Sequence, residues 1–326
     1  MTNAGVPKVS ILVPTYQHKE YIAACLEGIL MQRTNFPFEV LVGEDESSDG
    51  TREICQRYAA AHSDRIRLFL RSRKDVLHIM GRPTGRANLL DLIKESKGSL
   101  IALCEGDDVW VDPEKLQCQV DALANDPTAT GCFTNVLNDR LGVRSPYFEV
   151  GVTLEPPSRA TQKDLLLSFG LPTCSFLFVR DELMPLPPEL WKAPVADSLL
   201  FAHVSRNGHF IYLPRYTAVR HMHPGGLNSM RTKAHKFRVN LRTLPFIDSI
   251  TKGKYHKELL ERRRKDALFF WSEAIRTNDG DLARLCWSVL RRERALVGWS
   301  MTTMWRNYLK AWWPRTERAI FSLLEA

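Results

Sequence analysis

The chain has 326 residues, of which 44% are hydrophobic and 25% charged, a composition typical of a globular protein with one large α/β domain and an appendage. The first residues hold no apolar stretch and no uncharged apolar run reaches about 18 residues, so we expect neither a secretory signal nor a transmembrane helix, and a cytoplasmic location. The seven cysteines are widely spaced without a C-x-x-C pair, which favours reduced, packed thiols over disulfides or zinc.

The net charge of +8 is concentrated in the C-terminal part of the chain. Residues 231–326 hold 21 Lys+Arg and 10 Asp+Glu, a net of +11, whereas residues 1–230 hold 24 and 27, a net of −3. This asymmetry predicts an acidic partner for the C-terminal region: lipid headgroups, a phosphorylated acceptor or nucleic acid.

In the first 125 residues, short apolar runs alternate with segments of helical periodicity. The predicted strands are 9–13, 38–42, 66–70 and 99–104, and the predicted helices are 20–32, a segment around Ile54 and Tyr58, 88–96 and 113–125, with a basic loop at 82–86. This β-α-β-α-β-α-β order predicts an α/β fold with a mostly parallel central sheet and helices on both faces.

The pattern is less regular after residue 125. We predict strands at 131–136, 175–179, 210–213 and 217–219, helices at 162–168 and 196–206, an irregular segment at 138–160, and a turn-rich segment at 221–226. From about Lys233 the sequence becomes helical, basic and rich in tryptophan.

Three carboxylates, Glu105, Asp107 and Asp108, directly follow the strand at 99–104. The carboxyl ends of strands in an open α/β sheet are where ligands bind, and carboxylates this close repel one another unless a cation or donors neutralise them. The stretch therefore predicts a metal–diphosphate site. The alternative is an acidic turn that leads into a helix, with Asp112 as its N-cap and Pro113 as its first residue.

An ordered set of segments resembles the family 2 glycosyltransferases, which have the GT-A fold and an inverting mechanism and include enzymes of bacterial surface-glycan synthesis. The segments are VSILVPTYQHKEYIAACLEGILMQ, FEVLVGEDESSDGTREI, GRANLL and GSLIALCEGDDVWVDPEKLQCQVD within 9–121, followed by the weaker PTCSFLFVRDEL, PVADSLLF and VRHMHPGGLNS. The resemblance implies a catalytic domain at 1–230, with a nucleotide-binding half at 1–125 and an acceptor half at 126–230. A helical, basic, Trp-rich region at 231–326 would follow.

The resemblance also implies a nucleotide site. Pro14, Thr15 and Tyr16 would line the base at the end of the first strand. Asp45 would accept a hydrogen bond from the base, which suits the N3–H of uracil. Arg86 in the GRAN segment would face the base or the diphosphate.

The acidic stretch takes the place of the family's Asp-x-Asp pattern, with Glu105 in place of the first Asp. Asp107 would contact the nucleotide and a divalent metal, Mn²⁺ or Mg²⁺. Glu105 and Asp108 would lie near the donor sugar or the diphosphate.

The second half supplies a candidate base and a candidate metal ligand. Asp197 in PVADSLLF would be the general base, with a helix N-cap as its alternative role. His223 in His223-Pro224-Gly225-Gly226 would complete the metal shell or contact the diphosphate; a loop histidine without a catalytic role is the alternative, and His221 competes for the position.

We therefore expect transfer of a sugar from a nucleotide-diphosphate donor, a UDP-sugar, to a hydroxyl of a glycan or lipid-linked acceptor in polysaccharide biosynthesis. The alternative is a catalytically silent nucleotide- or membrane-binding scaffold with the same fold. A sugar-1-phosphate nucleotidyltransferase would need a glycine-rich loop after the first strand, and VPTYQHKE has no glycine.

The basic, Trp-rich segment 299–324 has two interpretations. Basic residues interleaved with Trp and Leu suit a helix in the interface of an anionic membrane, which would hold the protein at the inner face of the cell membrane. Alternatively, the aromatic residues pack a C-terminal helical subdomain onto the catalytic domain. Only this basic region suggests nucleic acid, and we expect no nucleic-acid partner.

Overall fold

The computed structural model describes residues 5–149, 156–167, 170–223 and 232–292. The chain divides into two compact units, Met1–Ser229 and Met230–Ala326. None of the helices within the described ranges is long and apolar enough to cross a bilayer.

The first unit is an α/β domain built on one large twisted sheet. The strands of this unit are β1 (Val9–Thr15), β2 (Phe38–Glu44), β3 (Ile66–Leu70), β4 (Leu77–Ile79), β5 (Arg82–Thr84), β6 (Leu100–Leu103), β7 (Val109–Trp110), β8 (Ala129–Arg140), β9 (Val143–Pro146), β10 (Arg159–Thr161), β11 (Leu177–Val179) and β12 (His209–His221). Strands β4 and β5 pair with each other in a separate two-stranded sheet. The helices of the unit are α1 (Ile22–Leu30), α2 (Thr51–Ala61), α3 (Arg86–Glu95), α4 (Lys115–Asn125), α5 (Gln162–Leu167) and α6 (Asp197–Val204).

The strand order along the sheet is β10-β12-β8-β11-β6-β1-β2-β3. Strands β6, β1, β2 and β3 are parallel to one another, and β8 and β12 are parallel to each other. Strand β11 is antiparallel to both β6 and β8, so β8 and β12 point the same way as β1. The carboxyl ends of β1, β2, β6 and β12 therefore reach the same edge of the sheet, and the predicted mostly parallel α/β sheet is confirmed.

Helices cover both faces of this sheet. Helix α1 packs on the face of β1 that carries Val9, Ile11 and Val13. Because side chains alternate along a strand, Gly43 of β2 belongs to the opposite face from Val42. There Asn88 of α3 lies so close that a Cβ on Gly43 would be 1.9 Å from its Oδ1, and Asn88 Nδ2 donates to the Gly43 carbonyl oxygen at 2.7 Å.

The structure corrects several predicted boundaries in the second half of this unit. The prediction of an irregular segment at 138–160 is wrong at both ends. Strand β8 continues to Arg140, and the chain turns through Leu141 and Gly142, at positive φ (54° and 86°), into β9. At the other end, β10 begins at Arg159. Residues 150–155 lie outside the described ranges. The two strands at 210–213 and 217–219 are one strand, β12, with register shifts near Tyr216.

Two predicted helix starts also differ. The loop at 82–86 contains β5, and α3 already begins at Arg86. The helix predicted to begin at Pro113 begins at Lys115 instead, and Asp112 Oδ1 accepts the backbone N–H of Glu114 (3.0 Å) ahead of it.

The second unit contains three described helices, α7 (Lys233–Ile250), α8 (His256–Thr277) and α9 (Gly280–Arg292). Phe237, Trp271, Cys286 and Trp287 form part of its buried core, with the two indole rings 5.7 Å apart. The segment 299–324 lies outside the described residues, so its membrane role stays a prediction.

Candidate active site

The end of β1 joins two acidic turns at the edge of the sheet. The Pro14 carbonyl oxygen accepts the Gly106 N–H (3.1 Å), and the Thr15 carbonyl oxygen accepts the Asp45 N–H (3.1 Å). The turn after β6 and the turn after β2 are thereby fixed on either side of Pro14 and Thr15. The family resemblance implied that these three segments line one nucleotide site.

Gly106 allows the acidic turn to lie directly against β1. A Cβ at this position would be 2.4 Å from Thr15 Oγ1, 2.6 Å from Thr15 Cβ and 3.0 Å from His18 Nδ1. Ordinary carbon contacts are about 3.5–4.0 Å. The absence of a side chain at Gly106 therefore sets the separation between Asp107 and the loop after β1.

That loop holds His18 in a defined orientation. Gln17 has a positive φ of 56°, the His18 N–H donates to Thr51 Oγ1 (2.9 Å), and His18 Nδ1 lies 3.2 Å from Thr15 Oγ1. With Nδ1 held in this way, Nε2 is directed towards Asp107 Oδ2 at 3.9 Å.

His18, Asp107 and His223 form a three-residue group with metal-ligand chemistry. Asp107 Oδ2 lies 3.1 Å from His223 Nε2, and one ligand atom from each residue lies within 4.8 Å of the other two. The sequence prediction named Asp107 and His223 but missed His18. The available signal was its place three residues after Thr15, at the edge where the acidic residues were expected.

The pKa values of this group follow from its contacts. Burial favours the neutral form of Asp107, but the hydrogen bond with His223 and the proximity of His18 outweigh it, so the pKa of Asp107 is lowered. The hydrogen bond with Asp107 raises the pKa of His223, and burial lowers that of His18. Asp107 is therefore ionised near neutral pH, the form in which a carboxylate binds metal.

His221 anchors the end of β12 to the acidic turn. Its backbone N–H donates to Asp108 Oδ1 (3.1 Å), and its Nδ1 lies 2.7 Å from the Asp107 carbonyl oxygen. Tyr21 packs against the rings of both His221 and His223, at 5.1 and 4.9 Å between centroids. These contacts hold His223 beside Asp107. Pro224 to Gly226 of the predicted motif lie outside the described residues.

In the acidic turn, one carboxyl oxygen of Glu105 has no hydrogen-bond partner among the described residues. This oxygen, Oε2, is buried. Burial, together with the nearby charges of Asp197 and Asp107, raises the pKa of Glu105 to about 7, against a hydrogen bond with Thr173 that lowers it. Burial and the neighbouring Asp107 and Glu105 likewise raise the pKa of Asp108.

Tyr16 and Asp45 form a second cluster with Arg73. Arg73 Nη1 lies 3.0 Å from Asp45 Oδ2, and the Arg73 Cζ lies 3.8 Å from the centre of the Tyr16 ring. Burial raises the pKa of Asp45, and the charge of Arg73 partly opposes the shift. Sequence reasoning did not single out Arg73.

Arg86 and Asp197 lie near each other in a third cluster. Arg86 is buried and its Nη1 donates to the carbonyl oxygens of Leu190 and Ala193, in the segment that leads to α6. These contacts differ from the predicted contact with base or diphosphate, which stays a prediction.

Asp197 is exposed to solvent, although protein atoms pack around much of its carboxyl group. Burial raises its pKa, and Arg86 and Arg220 oppose the shift. Helix α6 begins at Asp197, Ala196 takes the cap position and no side chain caps the helix, so the alternative N-cap role is wrong.

The pattern of the family described as Glycosyl transferase family 2 matches residues 10–182. The chain belongs to this family. An uncharacterized protein of Mycobacterium tuberculosis is 32% identical over 234 residues, which are 70% of this chain and 63% of that protein. The alignment thus spans less than two thirds of the relative's own length.

Two solved structures resemble the fold. S. aureus TarS 1–349 in complex with UDP has a TM-score of 0.57 at 17% identity, over 92% of this chain and 89% of that chain. The mannosyltransferase PcManGT from Pyrobaculum calidifontis, in complex with GDP-Man and Mn²⁺, has a TM-score of 0.56 at 20% identity, over 94% and 86%. The predicted GT-A glycosyltransferase fold is confirmed.

Proposed function

We propose that this glycosyltransferase moves a sugar from a UDP-sugar to a hydroxyl of a glycan or lipid-linked acceptor, with inversion, as a step of polysaccharide biosynthesis. The observation that carries the proposal is that the His18–Asp107–His223 group shares one edge of the sheet with Tyr16 and Asp45. A site for a divalent cation next to a site for a planar base is what a nucleoside diphosphate requires.

The three ligand residues fit a divalent cation. Two imidazole nitrogens and an ionised carboxylate converge within 4.8 Å, and Thr15 orients the His18 ring from behind. Mg²⁺ prefers oxygen ligands, so of the two predicted ions we propose Mn²⁺. Such an ion would neutralise the charge that develops on the departing diphosphate.

The nucleotide subsite is proposed at the end of β1. The Asp45 carboxylate only accepts hydrogen bonds when ionised, so it matches a base with a ring N–H: uracil, thymine or guanine. The Tyr16 ring is 37% exposed and offers a face for stacking. Pro14 and Thr15 would line the base, and Glu105 and Asp108 would face the donor sugar or diphosphate.

Asp197 is proposed as the general base. As the acceptor oxygen attacks the anomeric carbon and the bond to the diphosphate oxygen breaks, the hydroxyl proton would pass to the Asp197 carboxylate. Support comes from its solvent exposure, from its place near Glu105 and from its raised pKa, which makes a carboxylate a better base near neutral pH. No covalent intermediate is needed for a single inverting displacement.

The acceptor is proposed to be lipid-linked because the region after residue 230 is strongly basic, which favours an anionic membrane surface. Segment 299–324 would supply that contact. Sedimentation with anionic vesicles at low salt tests this part separately. Failure to sediment would contradict the membrane partner without affecting the donor site.

Calorimetric titration tests the donor site. Wild type is titrated with UDP, GDP and dTDP, each with and without Mn²⁺, beside Asp107→Ala and the control Asp121→Ala on the exposed face of α4. We expect Mn²⁺-dependent binding of UDP that Asp107→Ala abolishes and Asp121→Ala retains. A folded wild type that binds none of the three nucleotides would contradict the proposal and favour the scaffold alternative.

A further inference from the structure

Arg73 occupies the two groups that the proposed function assigns to the nucleotide base. It is the first residue of a short 3₁₀ helix, Arg73–Asp75, that follows β3. Its guanidinium stacks on Tyr16, with Cζ 3.8 Å from the ring centre, and its Nη1 pairs with Asp45 Oδ2 at 3.0 Å. The Arg73 side chain thus covers the Tyr16 ring and also pairs with the Asp45 carboxylate.

A base cannot use these groups while Arg73 holds them. A ring stacked on Tyr16 would lie about 3.5–4.0 Å from it, in the layer that the guanidinium fills. Asp45 is only 6% exposed, so little of its carboxylate remains open for a second donor. Arg73 and a nucleobase therefore cannot occupy the same face of the Tyr16 ring at the same time.

We propose that Arg73 closes the base subsite in the donor-free protein and that the nucleobase binds by displacing its guanidinium. This inference rests on the proposed nucleotide site at Tyr16 and Asp45. The base replaces both contacts of Arg73, since its ring stacks on Tyr16 and its ring N–H donates to Asp45.

The backbone geometry indicates that the side chain moves and the loop stays. The Arg73 N–H donates to Glu46 Oε2 at 2.6 Å, and Ser72 Oγ lies 3.4 Å from the same oxygen. Glu46 is an unburied carboxylate beside Asp45, so it offers the displaced guanidinium a new partner within the same turn. Only the side-chain torsions of Arg73 need to change.

Closure by Arg73 lowers the affinity for the donor nucleotide and for the nucleoside diphosphate product alike. The apparent dissociation constant of a ligand rises when its binding-competent state is a minor fraction of the protein. After sugar transfer, the return of Arg73 to Tyr16 and Asp45 would promote release of the nucleoside diphosphate, a step that limits turnover in many enzymes. Ligands that contain a diphosphate but no base are unaffected.

The test compares UDP with inorganic pyrophosphate. Calorimetric affinities for both are measured at saturating Mn²⁺ for wild type, Arg73→Ala, Arg73→Lys and the control Arg159→Ala. Arg159 also pairs with an aspartate, Asp126, at 2.9 Å, but on β10. Circular dichroism establishes that each variant is folded.

We expect Arg73→Ala to bind UDP about 5- to 30-fold more tightly than wild type, the size expected for one cation–π contact and one ion pair. Its affinity for pyrophosphate should not increase. Arg73→Lys keeps the charge without the planar stack, so its UDP affinity should lie between those of wild type and Arg73→Ala. The UDP affinity of Arg159→Ala should match that of wild type. Removal of a positive charge near a diphosphate site would by itself weaken the binding of both ligands. A gain in UDP affinity therefore distinguishes closure by Arg73 from this charge effect.

UDP binding that is unchanged or weaker in Arg73→Ala, with wild type still binding, would overturn the closure by Arg73 and leave the proposed function intact. An equal gain for pyrophosphate would also overturn it, because the base would then not be the competitor. If UDP binds to Arg73→Ala but not measurably to wild type, the closure is supported. If neither protein binds UDP, the proposed function fails and the inference with it.

Discussion

The contact between Gly106 and β1 gives the sharpest test of the site geometry. In Gly106→Ala the new methyl group would lie 2.4 Å from Thr15 Oγ1 and 3.0 Å from His18 Nδ1. Neither neighbour is free to retreat, since Thr15 is 3% exposed and the backbone of His18 is held by Thr51. The acidic turn must therefore move away from β1 by about 1 Å to reach normal contact distance.

The size of the effect follows from this displacement. Forcing extra volume into a packed site typically costs about 1–3 kcal/mol of unfolding free energy. Metal ligands tolerate displacements of only about 0.2 Å. Since Asp107 follows Gly106 and His18 lies across the contact, we expect Gly106→Ala to weaken Mn²⁺ binding by at least about tenfold as well.

Urea unfolding and titration with Mn²⁺, followed by the electron spin resonance of the free ion, measure the two effects. Gly85→Ala is the matched control, because a Cβ there would meet nothing within 4 Å and its φ is −73°. Because Gly85 is the N-cap of α3, this control should lose about 1 kcal/mol of unfolding free energy but keep the wild-type Mn²⁺ affinity. If Gly106→Ala matched wild type in both stability and Mn²⁺ affinity, the acidic turn would not be packed on Thr15 and His18 as described.

His18→Ala should weaken Mn²⁺ binding by about 100-fold or more while His62→Ala leaves it unchanged; an unchanged affinity in His18→Ala would exclude His18 from the metal shell. Asp197→Asn should retain UDP affinity within about twofold but transfer sugar at less than about a tenth of the wild-type rate, because an amide accepts no proton; a faster variant would rule out Asp197 as the base. Burial lowers the pKa of Lys115 to about 8, so the folded protein loses this proton before the unfolded chain does and the cost of the buried charge falls as pH rises. The difference in unfolding free energy between Lys115→Met and wild type should therefore shift by about 2 kcal/mol in favour of wild type between pH 7 and about 9.5, and a constant difference would contradict a charged Lys115 at neutral pH.

Sequence patterns predicted the part of the fold that depends on hydrophobic periodicity. Strands β1, β2, β3 and β6 are short, mostly apolar runs between helical segments, and their common direction follows from the helices that connect them. The β8–β9 hairpin was missed because its turn uses Leu141 at positive φ, a conformation for which leucine gives no sequence signal. Strand β12 was divided in two because Pro214 has no N–H to donate and reads as a strand end.

The site residues divide in a similar way. Asp107 and His223 were predicted because they belong to short motifs of the family. His18 and Arg73 belong to none, and their roles depend on contacts across about 30 residues or more of sequence: His18 with Thr51, and Arg73 with Asp45. Arg86 matched a motif, yet its hydrogen bonds join it to carbonyl groups about 100 residues away. Such long-range contacts cannot be predicted from the spacing of residues in the sequence alone.

The acidic turn can hold three carboxyl groups in four residues because each is accommodated differently. Asp107 stays ionised between two histidines. Asp108 is buried, and its carboxyl is bonded to the backbone N–H of His221, which ties β12 to the turn. Glu105 has a pKa of about 7, so a substantial fraction carries a proton near neutral pH and its repulsion of Asp107 is reduced. The turn thus concentrates its negative charge on Asp107, the carboxylate that lies between the two imidazole rings.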